Sequence, residues 1–362
     1  MVKTDEGEGR YGFSAQGEID TRTLKKMIKR SSPLHETMEA VTGSRNHVIT
    51  CRPDKGVVVS TDVIELDGIM KTLAKGKNRF AFDSRWFEQN LPEFTLKTRR
   101  LNYGEMNFTP FSSRIKLTEN GFAVDDCQTT LCTVDLAGSM KNTRGSMAIQ
   151  IDLGAENRDL AEAIACFFDG QGLIQGTYSL SGSLAARGDM ESISRQFKGK
   201  VKFSSDNGRI YRLTLLSRIL SVINLSKLFK GKLPDIIQNG FGYTSIDIHA
   251  RVEQDKIVIE EGVVNGTDMT FILTGEYTIA TEKMDLVCLV APFKSGDMLV
   301  EKIPLLGSIL NDRLVSFPLG ISGTLQDPKV TMVSAQTIGK GLKSTMMRIL
   351  KTPFNIMEKL PL

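Results

Sequence analysis

Alternation with a period of two constrains this chain more than any other feature, because strands send successive side chains to opposite faces and helices do not. From Phe271 to Ile279 one face collects Phe271, Leu273, Gly275, Tyr277 and Ile279, and the other collects Thr274, Glu276 and Thr278. The same pattern returns at Met284, Leu286, Cys288 and Val290, at Val315, Phe317, Leu319 and Ile321, and at Met147, Ile149, Ile151 and Leu153. One apolar face and one mixed face describe half-buried antiparallel strands. The 32 glycines, 11 prolines and 41% hydrophobic residues of the 362-residue chain suit many short strands joined by turns.

A polar turn followed by an alternating strand recurs. Pro53-Asp54-Lys55-Gly56 precedes Val57, Glu119-Asn120-Gly121 precedes Phe122, Asp206-Asn207-Gly208 precedes Ile210, and Gln254-Asp255-Lys256 precedes Ile257. Asn-Gly favours hairpins because both residues tolerate positive φ. Leu117–Gly138 also resembles Val252–Gly275, with about two residues inserted, which points to internal duplication of a β-meander.

Helical periodicity is scarce. Thr21–Arg30 is short and basic, and Asn157–Phe168 aligns Leu160, Ile164 and Phe167 on one stripe. Leu213–Ile223 carries a broad apolar half-cylinder, which suits either a helix laid over a sheet or an ordinary core helix. The last such stretch is basic and amphipathic. Ile338, Leu342, Met346 and Ile349 share a stripe opposite Lys340, Lys343, Arg348 and Lys351, and Phe354 follows Pro353. From Lys329 onward there are six cations and one anion, against a net charge of +4 for the whole chain. Such a segment suits a membrane surface, and equally a terminal helix docked on the protein's own core.

Motifs for chemistry fail on context. Gly7-Glu8-Gly9-Arg10-Tyr11-Gly12 has the dinucleotide spacing without the strand before it or the helix after it. Gly339-Lys340-Gly341-Leu342-Lys343-Ser344-Thr345 lacks the spacing of a phosphate loop. His35, His47 and His249 have no ligand-spaced companions, and no nucleophile elbow is present. Asp125-Asp126 and Glu260-Glu261 suit solvated turns flanking strands. The five cysteines, Cys51, Cys127, Cys132, Cys166 and Cys288, have no compact spacing and suit buried free thiols. No catalytic, cofactor or metal site is expected, and the β body shows no basic stripe for nucleic acid. The first twenty residues hold no apolar run, and no stretch reaches the ~20 apolar residues of a spanning helix. The expectation is a soluble or peripheral chain, or a fragment whose anchor lies upstream.

The second half then carries a more specific signal. Phe203-Ser204-Ser205-Asp206-Asn207-Gly208-Arg209-Ile210-Tyr211 leads into the Leu213 helix and Leu233-Pro234, then Gly240-Phe241-Gly242-Tyr243 and the strand Ile246–Val252. Leu289-Val290-Ala291-Pro292-Phe293, Lys302-Ile303-Pro304-Leu305-Leu306-Gly307, Phe317-Pro318-Leu319, Gly323-Thr324-Leu325 and Asp327-Pro328-Lys329-Val330 follow. This order resembles the C-terminal region of AsmA-like proteins, the envelope family that includes TamB and YhdP types. The resemblance runs over about Lys198–Phe354 and is looser from Phe80 to Asp189.

The resemblance implies a mostly β fold: a long curved antiparallel sheet of repeated meander units, forming a half-open tube with an apolar groove and a few amphipathic helices. It implies non-enzymatic phospholipid transport, or lipid homeostasis, between the inner and outer membranes, on the periplasmic side of a bacterial envelope. The family's inner-membrane anchor has no counterpart here. The expected organisation is a partial β region over 1–79, a meander with a short helix over 80–198, the AsmA-like region over 199–330 and the basic tail over 331–362. Expected groove residues are Ile257, Ile259, Phe271, Leu273, Tyr277, Met284, Leu286, Val290, Phe317 and Leu319, which a closed core packed against helices would also accommodate. Expected partners are an acyl-chain lipid, a membrane surface met by the tail, and an envelope protein. The competing expectation is an assembly factor for outer-membrane proteins that offers its sheet edges by strand addition.

Overall fold

The computed structural model describes residues 47–52, 56–67, 93–118, 121–168, 173–189, 191–211, 214–223, 240–267, 269–292 and 316–334. The expected helix over Thr21–Arg30, the Pro53 turn, the Pro304 motif and the basic tail with Ile338, Lys340, Leu342, Lys343, Met346, Arg348, Ile349, Lys351 and Phe354 lie outside them.

The fold is mostly β. Its strands are β1 (His47–Arg52), β2 (Gly56–Glu65), β3 (Glu93–Tyr103), β4 (Met106–Phe108), β5 (Phe111–Thr118), β6 (Gly121–Leu131), β7 (Val134–Thr143) and β8 (Ser146–Asp159). Then come β9 (Ile174–Asp189), β10 (Lys198–Ile210), β11 (Phe241–Glu253), β12 (Lys256–Gly266), β13 (Met269–Thr278), β14 (Lys283–Pro292), β15 (Phe317–Thr324) and β16 (Pro328–Met332). Two described helices interrupt them, α1 (Leu160–Phe168) and α2 (Thr214–Ile223). The hydrogen-bonded order follows the chain from β1 to β16, with β4 paired to β3 off that path. β2 and β3 run parallel; the other described pairings are antiparallel, the habit of half-buried alternating strands. The order is open: β1 stands at one end and β16 at the other.

The chain divides into two compact units, one of residues up to Gly154 with Ser183–Gln196, the other of Ala155–Gly182 with Phe197 onward. β8 and β9 contribute residues to both.

In the first unit, β6 and β7 form a two-residue hairpin through Cys132 and Thr133, both at positive φ (49° and 72°). That is the backbone of a type I′ turn, held here without Gly or Asn. In the second unit, Gln254 at φ 60° and Asp255 turn β11 into β12, where the sequence signals a hairpin.

Asp206-Asn207-Gly208 is different, because it lies inside β10. Asn207 takes φ 49° and Gly208 pairs with Tyr243. A Cβ at Gly208 would stand 2.1 Å from the Tyr243 hydroxyl, so glycine leaves room for the tyrosine instead of making a turn. The Tyr243 hydroxyl donates to the Gln175 carbonyl (2.9 Å) and meets Ser205 Oγ (2.7 Å), which itself donates to the Thr177 carbonyl (2.8 Å). Burial raises the Tyr243 pKa, against the opposing pull of the Ser205 hydrogen bond. This buried polar pin ties β9, β10 and β11 together.

The expected helix starting at Asn157 begins later. β8 runs on to Asp159, whose Oδ1 accepts from the backbone N–H groups of Ala161 (2.7 Å) and Glu162 (3.1 Å) and so caps α1.

Candidate apolar binding face

In the second unit the strand register brings all ten expected groove residues to one face. Phe271 lies opposite Val290, and Val290 opposite Phe317. Cys288 stands between Leu273 and Leu319. Tyr277 lies opposite both Ile257 and Met284, and Gly275 opposite both Ile259 and Leu286. Facing partners in an antiparallel pair share a side of the sheet, so the face is continuous.

Burial divides the ten. Phe271 (6% exposed), Met284 (5%), Val290 (2%), Phe317 (8%) and Leu319 (0%) belong to a packed core. α2 closes it, with Ile219 and Ile223 buried against the sheet and Leu215, Leu216 and Leu220 alongside. Phe241 meets Phe271 edge to ring at 5.5 Å between centroids. For these five the sheet face is a closed core, and α2 is the helix laid across it. Ile257, Ile259, Leu273, Tyr277 and Leu286 are only half-buried. The face continues through Ile248, opposite Phe203, and through Val330, opposite Ile321, all beyond the expected set. Alternation at Val201 and Phe203, and at Ile246 and Ile248, carries the signal for the first of these additions.

The first unit repeats the pattern. Phe94, Ile115, Val124, Met140 and Ile149 form one row across β3, β5, β6, β7 and β8. Cys127, Gly138 and Ile151 form another, and Thr129, Leu136 and Leu153 a third. All of these apolar side chains remain half-exposed. The reverse face carries the row Lys97, Ser112, Gln128, Ala137 and Asp152. Two hydroxyls interrupt the apolar side, Ser113 Oγ and Thr129 Oγ1, both buried without a hydrogen-bond partner.

The paired carboxylates lie inside strands, at bulges, and not in flanking turns. In β6 the register jumps between Val124 and Cys127, around Asp125 and Asp126. In β12 it jumps between Ile259 and Gly262, around Glu260 and Glu261. In each case an arginine of the preceding strand pairs with the bulge, Arg114 with Asp126 and Arg251 with Glu260 (3.2 Å).

The cysteine expectation is corrected in part. Cys132 and Cys166 are disulfide-bonded. Cys127 and Cys288 are free. Burial pushes the Cys127 thiol up, and it pushes Cys288 up to about 12. Lys198, Lys200 and Lys202 are exposed along one side of β10, opposite Glu253, Arg251 and His249.

Among the described residues, no helix is long and apolar enough to cross a membrane. No family model, curated protein or solved structure matches this chain.

Proposed function

We propose that this chain is a non-enzymatic, AsmA-like protein of the bacterial envelope that carries phospholipid acyl chains along the apolar face of its sheet, on the periplasmic side between the two membranes. The observation that carries this reading is the run of half-exposed apolar rows in the first unit and in the part of the second unit that flanks the α2 core. A folded chain otherwise buries or breaks up such surface, and extended exposed apolar area marks an interaction site. Six to nine strand residues span ~20–30 Å, comparable to an acyl chain. Each methylene moved from water onto such a face contributes roughly 0.8 kcal/mol, so about eight of them supply roughly 6 kcal/mol without a polar site. A face of this kind reads chain length and not headgroup.

The disulfide-bonded cysteines support the compartment, because disulfides persist in the periplasm and are reduced in the cytosol. The basic tail supplies a membrane contact in this reading.

The test is native mass spectrometry with lipid extraction of the chain purified from a bacterial host. Near-stoichiometric phospholipid is the expected result, and Leu286→Glu, on the half-exposed part of the face, lowers it without unfolding the chain. A lipid-free wild-type chain that instead co-purifies with an outer-membrane protein refutes lipid carriage and favours assembly by strand addition.

A further inference from the structure

The second unit exposes an aromatic tip that its own core leaves unused. α1 ends in Phe167 and Phe168, which are 47% and 68% exposed, with ring centroids 6.3 Å apart. The preceding residue, Cys166, is disulfide-bonded, so the helix end that presents the two rings is covalently tethered. The chain then re-enters the sheet at β9. There the Tyr211 N–H donates to the Leu173 carbonyl (2.9 Å) and the Tyr211 hydroxyl donates to Gln175 Oε1 (2.8 Å). Tyr211, at the end of β10, is 40% exposed. Tyr211 thus stands where β10 finishes and β9 begins, and α1 follows the end of β8.

We infer that Phe167 and Phe168 insert into the interfacial region of a lipid bilayer and set the protein on it. The choice of occupant follows from area. Phenylalanines bury 150–250 Å² each when fully covered, so the exposed parts of this pair amount to roughly 200 Å². A stable protein partner or a second copy needs about 800 Å² from each side. A bilayer needs only the side chains that enter it, and aromatic residues concentrate at that depth. The inference rests on the lipid-carriage reading for its choice of a membrane, and it adds a contact separate from the basic tail. It also gives the apolar face a bilayer from which acyl chains are taken up or to which they are delivered.

The test places a reporter at the tip. The chain has a single tryptophan, Trp86. In the full-length chain carrying Trp86→Phe and Phe168→Trp, phosphatidylcholine vesicles should blue-shift the emission of the introduced indole. Brominated acyl chains in the same vesicles should quench it. Phe167→Ser with Phe168→Ser in the wild-type background should lower vesicle partitioning about tenfold while co-purified lipid stays constant. An indole that stays solvent-like and unquenched while the chain floats with the vesicles overturns the inference, because another segment then makes the contact. Loss of a concentration-dependent dimer in the double variant, with flotation unchanged, also overturns it in favour of self-association. Quenching at the tip of a chain that holds no lipid upholds the inference and refutes lipid carriage alone.

Discussion

Replacing Phe271 by alanine separates the closed part of the apolar face from the open part. The ring is 6% exposed, sits between Val264 and Val290 across the sheet, and meets Phe241 edge to ring. Truncating a buried phenylalanine to alanine costs about 3–5 kcal/mol, through lost transfer energy and the cavity left behind. Of that, ~0.5–1.5 kcal/mol is the ring–ring geometry. With a urea dependence of about 2–3 kcal/mol per molar, the unfolding midpoint of the second unit falls by roughly 1–2 M. Leu286→Ser lies on the same face but is half-exposed, so it forfeits less burial. Its cost is about 1 kcal/mol and its midpoint shift roughly 0.4 M. The two variants invert in lipid content: Leu286→Ser loses bound lipid and Phe271→Ala keeps it. Far-UV circular dichroism in urea and native mass spectrometry read the two effects. A Phe271→Ala shift no larger than that of Leu286→Ser would refute the division of the face into core and lane.

Other consequences follow from the same structure. Iodoacetamide applied to the unreduced, unfolded chain should modify Cys127 and Cys288 and spare Cys132 and Cys166, by peptide mass spectrometry. Reduction of the disulfide bonding at Cys132 and at Cys166 should cost about 2–4 kcal/mol of stability per bridge, seen as a lower melting temperature. Cys288 has a folded pKa of about 12, raised by burial, above an unfolded value near 8.5. Its contribution is therefore complete below about pH 8.5 and is lost as pH rises toward the folded value, at ~1.4 kcal/mol per pH unit. Cys288→Ala should flatten that alkaline slope while lowering stability at pH 7, by urea titration across pH 7–11. Gly208→Ala, whose methyl group collides with Tyr243 and the Gln175 carbonyl, should cost ~3 kcal/mol or more by the same assay.

Period two gives the face but not what covers it. Alternation at Phe271 and Met284 places them on the same side as Tyr277 and Leu286, and nothing local separates the buried from the half-exposed. The separation depends on where α2 lies, which is a long-range packing choice. Asp206-Asn207-Gly208 carries every local signal of a hairpin and is strand, because tertiary demand for the Tyr243 notch outweighs turn preference. The tail of β8, Glu156-Asn157-Arg158-Asp159, has no apolar alternation because all four side chains face solvent, so its strand state leaves no pattern to read. Disulfide bonding at Cys132 and at Cys166 depends on which thiols meet in space, which the local sequence does not record.

The acidic pairs were legible as residues but not as devices. In β6 the apolar face is built by Phe122 and Val124 and then by Cys127, Thr129 and Leu131, so the parity of the inward positions changes across Asp125-Asp126. In β12 Ile257 and Ile259 are followed by Gly262 and Val264, and parity changes across Glu260-Glu261. A bulge absorbs the extra residue that such a change requires, and without it half of the strand would turn its apolar set to water. The same parity change at the same place, each with an arginine from the preceding strand, gives the resemblance of Leu117–Gly138 to Val252–Gly275 a structural cause. The arginine pairings are largely exposed and contribute at most about 1 kcal/mol each. The residue count at the bulge, and not its charge, is therefore what the fold requires. Glu260→Ala should leave the urea midpoint within about 0.5 M of wild type. Deleting Glu260 and Glu261 together should abolish the cooperative transition of the second unit, because Gly262 and Val264 would be forced to the solvent face, whereas deleting Glu260 alone removes only the extra residue and leaves them inward. A double-deletion variant as stable as Glu260→Ala would show that register is set elsewhere.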